Sequence, residues 1–350
     1  MRLEVYTRGL VLAAVLMAAG TLACRPAAGP VRISETRRAM GVPWTITLYA
    51  PHVPAGRAAL AAAFAEVHRL EGMLSDYDPT SDVSRLSGAS PMPDAVPVDP
   101  ELWRVLEQAV GFRDSSGGAF DPTIGPLTTL WRQARKAGRM PQAEKLAAAR
   151  EAVGPEALQL DRGRRRVRLP KPGSRLDLGG IGMGYTADRV LDVLRGRGID
   201  SALVDASGDV AAAGRPPGTS GWRVAVAGLT GTGSTAVTIE LVDAAVTTSG
   251  DAFQAVELDG IRYSHVIDPR TGLGVVGPSA VTVIAADCTT ADALATAASV
   301  LGPREGAALV ARFPGAAARF VWLEDGRPRE TTTPAWPTPL SQSSSSGGGP

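Results

Sequence analysis

The first clear periodicity along the chain is an alternation. Trp44, Ile46 and Leu48 are interleaved with Thr45, Thr47 and Tyr49, the two-residue repeat of a strand with one buried face. The period then lengthens: Leu60, Phe64, Val67, Leu70 and Leu74 predict a helix over 56–74, with His68 beside its apolar stripe as an interfacial histidine rather than a ligand. Residues 78–98, rich in Pro, Ser, Asp and Gly, read as a long loop. Leu102, Val105, Leu106, Ala109 and Val110 predict a second helix over 101–113, and the alanine-rich 142–153 a third. A hairpin over 158–169 turns at Asp161-Arg162-Gly163, with Val167 and Leu169 alternating with Arg166 and Arg168. Its five arginines read either as a charged edge strand or as a contact for an anionic partner. A helix over 184–196 follows, then strands at 201–205, 222–227, 236–242, 245–248, 261–267 and 279–285, helices at 290–301 and 303–312, and a last strand at 318–323.

This order predicts one mixed α/β (α+β) domain over residues 31–330, with room for two lobes and no internal repeat. Residues 331–350 are Thr, Pro, Ser and Gly with too few apolar positions for a core, so a disordered tail is expected. Residues 1–23 read as an export signal, with Arg2 and Arg8 ahead of an apolar run over 9–19 that is too short to span a bilayer. Thr21-Leu22-Ala23-Cys24 resembles a bacterial lipobox, which makes Cys24 the lipidation site and 24–30 a tether; soluble secretion and a retained anchor are the alternatives. A net charge of +1 gives no electrostatic case for binding nucleic acid. Two cysteines are too few for a disulfide framework, and the three histidines have no zinc-like spacing.

Four segments carry candidate chemistry. In LDLGGIGMGYTAD (176–188), Gly179, Gly180, Gly182 and Gly184 lie between a strand-like lead-in and a helix. Such a turn either packs helix on strand or cradles phosphate oxygens at a helix N-terminus. In GAFDPTIGPL (118–127) an aromatic stands beside a carboxylate in a rigid turn, suited to a flat heterocycle or to simple core packing. In YSHVIDPRTG (263–272), His265 ends an apolar strand with Asp268 three residues on, a candidate general base or ligand contact. Asp292 and Thr296 are spaced i, i+4 at the start of a helix, so their oxygens share one face. They read as part of a hard-oxygen Mg²⁺ site or as ordinary helix-end groups.

Nine collinear pieces together resemble the ApbE family of FAD:protein FMN transferases over about residues 38–313. They are Met40-Gly41 with Trp44; Ser75-Asp76-Tyr77 with Ser81 and Ser84-Arg85-Leu86; GAFDPTIGPL; the glycine-rich stretch; ALVDASGD; Gly221-Trp222; Thr248-Ser249-Gly250-Asp251; YSHVIDPRTG; and ADALATA. The resemblance implies transfer of the FMN half of FAD to a Ser or Thr hydroxyl of a target protein, with Mg²⁺ as cofactor and AMP released. It implies that Met40, Tyr77, Ala119, Phe120 and Asp121 surround the flavin or adenine and that Asp177 lies near the nucleotide. The Gly180 carbonyl, Asp292 and Thr296 would hold the metal, and His265, with Asp268, would help deprotonate the acceptor. Membrane redox subunits, modified at the periplasmic face of the inner membrane, are the implied partners. The family usually carries Lys where this chain has Met183, and Gly where it has Ser207. FAD binding without transfer, or FAD hydrolysis, are the alternative activities.

Overall fold

A computed structural model describes residues 29–229, 236–250, 255–277 and 279–340. The export signal, Cys24, most of the tether, Asp251 and residues 341–350 lie outside the described residues.

The chain begins with an antiparallel pair, β1 (Val31–Ala39) and β2 (Val42–Ala50), followed by α1 (Val53–Leu74), α2 (Asp82–Gly88), β3 (Val96–Pro97) and α3 (Pro100–Ser115). Next come α4 (Gly125–Ala137), α5 (Ala143–Glu151), β4 (Gln159–Asp161), β5 (Arg166–Arg168) and α6 (Gly182–Arg195). A run of strands follows: β6 (Ala202–Ala206), β7 (Asp209–Ala213), β8 (Trp222–Val226), β9 (Val237–Leu241), β10 (Ala244–Gly250), β11 (Ala255–Leu258), β12 (Ile261–Ile267), β13 (Gly274–Val276) and β14 (Ser279–Ala285). Then come α7 (Cys288–Val310), β15 (Ala317–Glu324) and β16 (Arg327–Thr332).

Eight strands form the main sheet in the order β1-β2-β6-β7-β10-β14-β15-β16, every neighbour antiparallel. The two-residue period divides its side chains between two cores. In β7, Ala211 and Ala213 face α1, α6 and α7, while Val210 and Ala212 face Trp222, Val224, Ile239 and Leu241 of the β8–β9 hairpin. The helical side is the larger core and includes Trp44, Ile46, Leu48, Phe64, Val204, Val283 and Phe320. A separate, smaller core joins Leu127 and Trp131 of α4 to Leu258, Tyr263 and Ile267 of a three-stranded sheet, β11-β12-β13. Both edges of the main sheet are polar. β1 reads VRISETRRA, and β16, RPRETT, is exposed along its whole length.

Helix ends follow local chemistry. The Ser81 hydroxyl caps α2 by accepting the Ser84 N–H, so the stretch expected to be loop over 78–98 contains a helix as well as the short β3. Asp287 caps α7 in the same way at Thr290 N–H. The helices expected over 290–301 and 303–312 are one element broken at Gly302, whose φ of 76° leaves helical geometry ahead of Pro303. The folded part also runs past 330, which corrects the expected boundary of the tail. Thr333 Oγ1 accepts the Ala318 N–H at 2.9 Å, Trp336 packs on the β8–β9 side, and Leu340 N–H donates to Thr238 at 2.8 Å. Backbone pairing holds this segment, which is why its apolar content gave no sign of it. Among the described residues no helix is long and apolar enough to cross a membrane.

Candidate active site

The glycine-rich stretch lies where α6 crosses α7. The packing reading of its glycines has a basis here, because close approach demands them. A methyl on Gly184 would sit 2.3 Å from the Cys288 carbonyl oxygen, and one on Gly180 would sit 2.9 Å from Thr296 Oγ1 and 3.2 Å from Phe120 Cε2. The Gly184 N–H donates to Asp292 Oδ2 at 3.1 Å. Gly180, Thr296, Asp292 and Phe120, drawn from three distant segments, therefore converge at this crossing.

Asp292 is buried, and burial pushes its carboxyl up to about 7 against the pull of the Gly184 N–H, with the Asp188 charge adding to the rise. Asp188 accepts the backbone N–H groups of Cys288 and Thr289 at 2.8 Å each, and burial raises it to about 6. Asp209, at the head of β7, is pushed well up by burial and by the charges of Asp292 and Asp205. Cys288 is a buried free thiol, also held protonated by burial. Among the described residues no three His, Cys, Asp or Glu side chains gather as a metal cluster. The donors available are a carboxylate, a hydroxyl one helical turn away and the Gly180 backbone. This oxygen set fits Mg²⁺ rather than a softer ion, and a cation would relieve the unfavourable burial of the Asp292 charge.

A second cluster adjoins it. Asp177 N–H donates to the Pro122 carbonyl at 2.9 Å, which ties the glycine-rich lead-in to the GAFDPT turn. The Asp177 carboxylate accepts Gly179 N–H at 2.9 Å, the Thr128 hydroxyl at 2.7 Å and Arg132 Nη2 at 3.1 Å. Arg132 also donates to Asp76, and its guanidinium lies 4.1 Å from the Tyr77 ring centroid. Arg132 and Thr128 escaped the sequence reading. Both follow the recognisable motif, and their only local signal is an i, i+4 spacing on α4.

The remaining predicted residues fall into three places. Ala119, Phe120 and Asp121 are buried, and Asp121 Oδ1 accepts both the N–H and the hydroxyl of Thr123, at 2.8 and 2.6 Å. Burial raises the Asp121 carboxyl, and the Thr123 bonds oppose this. Met40 sits in the β1–β2 turn with φ of 50°, its N–H held at 2.6 Å by Glu71, which also pairs with His68. His265 is exposed on β12, and Asp268 lies in the turn beyond it, where both its carboxylate oxygens accept from Arg270 at 2.9 Å. Trp131 Nε1 donates to Gly272 at 2.7 Å, so α4 grips this turn with one residue and the Asp76–Asp177 cluster with the next. At the two departures, Met183 is half-buried against the main core, and Ser207 adopts φ of 57°, a conformation that glycine reaches without strain.

Comparison with known proteins identifies the family and the fold. The ApbE family model matches residues 40–320. A protein of Treponema pallidum named FAD:protein FMN transferase is 33% identical over 340 residues, 91% of each chain. One of the same name from Vibrio cholerae is 33% identical over 248 residues, 69% of this chain and 73% of its own. Among solved structures, the apo flavinyl transferase ApbE of Pseudomonas stutzeri superposes with a TM-score of 0.77 at 33% identity, over 88% of this chain and 96% of that one. The Vibrio cholerae flavin transferase ApbE superposes with a TM-score of 0.79 at 27% identity, over 87% and 98%. With this fold, this crossing of α6 on α7 and relatives matched along most of their length, the chain belongs to the ApbE family.

Proposed function

We propose that this chain transfers the FMN half of FAD to a Ser or Thr hydroxyl of a target protein and releases AMP. The observation that carries the proposal is the convergence of Gly180, Thr296, Asp292 and Phe120 at the α6–α7 crossing, in a chain whose relatives are named FAD:protein FMN transferase. The acceptor oxygen bonds to the FMN phosphorus as the pyrophosphate P–O bond to AMP breaks. The hydroxyl proton goes to a base.

Positioning and charge neutralisation dominate such a transfer. Asp292, Thr296 and the Gly180 carbonyl would hold Mg²⁺, which when bound supplies positive charge against the pyrophosphate oxygens. Tyr77 and Met40 would provide apolar surface for the flavin or adenine, with the buried Ala119, Phe120 and Asp121 shaping the turn beside them and Asp177 meeting the nucleotide. His265 takes the acceptor proton at a ring nitrogen; its exposure on β12 leaves it within reach of a protein substrate. Asp268, clamped by Arg270, fixes the turn that follows His265. The signal-like residues 1–23 and the lipobox-like Thr21–Cys24 support a reading in which the protein is lipid-anchored at the periplasmic face of the inner membrane, with membrane redox subunits as acceptors.

The test is incubation with FAD, Mg²⁺ and an acceptor domain that carries a flavinylation Thr. A fluorescent acceptor band in a denaturing gel is the expected result, and measurable FAD binding with no labelled acceptor refutes transfer. Cys24→Ser should move the protein from the membrane fraction to the soluble one; an unchanged distribution removes the lipid anchor.

A further inference from the structure

Arg132 uses both terminal nitrogens and one planar face of its guanidinium at once. Nη1 donates to Asp76, Nη2 donates to Asp177 at 3.1 Å, and the planar face lies 4.1 Å from the Tyr77 ring centroid. These partners come from two segments far apart in sequence, the loop after α1 and the lead-in to α6, and α4 brings the arginine between them. Tyr77 is 76% exposed, so little apolar packing restrains its ring. With the guanidinium beneath one face, the outer face is left open to a flat heterocycle. Asp177 has both carboxylate oxygens engaged, by Gly179 on one side and by Thr128 and Arg132 on the other. Burial and the Asp177 charge both raise the Asp76 carboxyl, so without the arginine two carboxylates would be left facing each other.

We propose that Arg132 is a positioning residue for FAD: it holds the Tyr77 ring and the Asp177 carboxylate in the orientation that the nucleotide meets. This rests on the flavin-transfer reading above. The gain is preorganisation. An exposed aromatic and a carboxylate fixed before binding lose less conformational freedom when the ligand arrives. A lysine carries the charge but has neither the fork that spans two carboxylates nor the flat face for the ring, so the role is specific to arginine.

The experiment measures the FAD dissociation constant of the intact protein by titration, with kcat and KM for transfer to an acceptor domain. Arg132→Gln should raise the dissociation constant and KM for FAD by about tenfold or more and leave kcat at saturating FAD within about threefold. Arg132→Lys keeps a charge between the carboxylates and so protects folding; it should still lose about threefold or more in affinity, because the fork and the face are gone. Adding Asp76→Asn to Arg132→Gln removes one of the facing charges and should recover part of the loss, and the split between KM and kcat separates this positioning role from a purely structural one. Affinity within about twofold of the parent in both single variants overturns the inference, as does kcat falling in step with a rising KM and no recovery in the double variant. A parent that neither binds FAD nor labels an acceptor overturns the flavin-transfer reading and this inference together. A working parent matched by its variants overturns this inference alone.

Discussion

Replacing Gly184 with Ala tests the crossing on which the candidate metal site is built. The added methyl would lie 2.3 Å from the Cys288 carbonyl oxygen, 2.7 Å from the Cys288 carbonyl carbon and 2.8 Å from Asp292 Cβ. Bringing the shortest of these from 2.3 Å to a tolerable 3.0 Å requires a retreat of about 0.7 Å. All three atoms belong to the N-terminal end of α7, two of them backbone and the third a Cβ, so the helix end must move as a unit rather than a flexible tip swinging aside. Overpacking of this kind costs about 1–3 kcal/mol. The same movement stretches the 3.1 Å bond from Gly184 N–H to Asp292. A bond to a charged acceptor contributes about 1.5–3 kcal/mol. The better helix propensity of Ala offsets about 1 kcal/mol. The expected balance is a loss of about 1.5–5 kcal/mol in urea unfolding, with weaker Mg²⁺ binding in a direct titration. Gly72→Ala is the internal control: it lies on the exposed side of α1, where a methyl meets nothing within 4 Å, so it should be neutral or stabilising by up to about 1 kcal/mol. Parental stability and parental Mg²⁺ affinity in Gly184→Ala would refute the reasoning.

Three further outcomes follow from the site. Asp188 and Asp292 titrate at about 6 and about 7 against an ordinary 3.8, so between pH 3.8 and those values the folded chain binds more protons than the unfolded one. Their contribution to stability therefore falls as pH rises through that window in the absence of a cation, and Mg²⁺ should cancel the Asp292 share. Melts across the window with EDTA or Mg²⁺, compared with Asp188→Asn and Asp292→Asn, check this; carboxamide variants with a parental pH slope count against it. His265→Gln should lower kcat by about 10²–10⁴ with little change in FAD affinity, and an equal loss of binding would move His265 from proton transfer to substrate contact. Met183→Lys can keep its ammonium in water along a half-buried stem, and kcat should stay within about threefold of the parent. A gain of about a hundredfold, from a parent that binds FAD without labelling its acceptor, would instead favour the FAD-binding reading.

Legibility in the sequence tracked the range of the interactions. α1 announces itself because Leu60, Phe64, Val67, Leu70 and Leu74 all enter the main core. β14 and β12 run over 279–285 and 261–267 as expected because their apolar residues face packed layers. α4 went unread because Leu127, Trp131 and Ala134 are its few buried apolar residues, and its other side serves the candidate site. β1 and β16 hide behind polar edges, and β7 behind a run of alanines. In the site, the Asp292–Thr296 pair was visible as one turn of one helix, and the glycines as a cluster. Arg132 was invisible because its partners Asp177 and Asp76 lie 45 and 56 residues away, and nothing local marks such a pairing. The Asx-type bonds that commit Asp121 to Thr123 were equally hidden, since an acid beside an aromatic reads the same whether its oxygens face a ligand or their own turn.

The two polar edges of the main sheet have a consequence for how the molecules live beside one another. An eight-stranded antiparallel sheet ends in two rows of unpaired backbone groups, each a template for another chain's strand. Here one row carries Arg32, Glu35, Arg37 and Arg38, and the other carries Arg327, Pro328, Arg329 and Glu330. A neighbour approaching either rim in register meets like charge, and at Pro328 it meets a missing donor as well. Copies of this protein can therefore crowd together without zipping edge to edge into fibres.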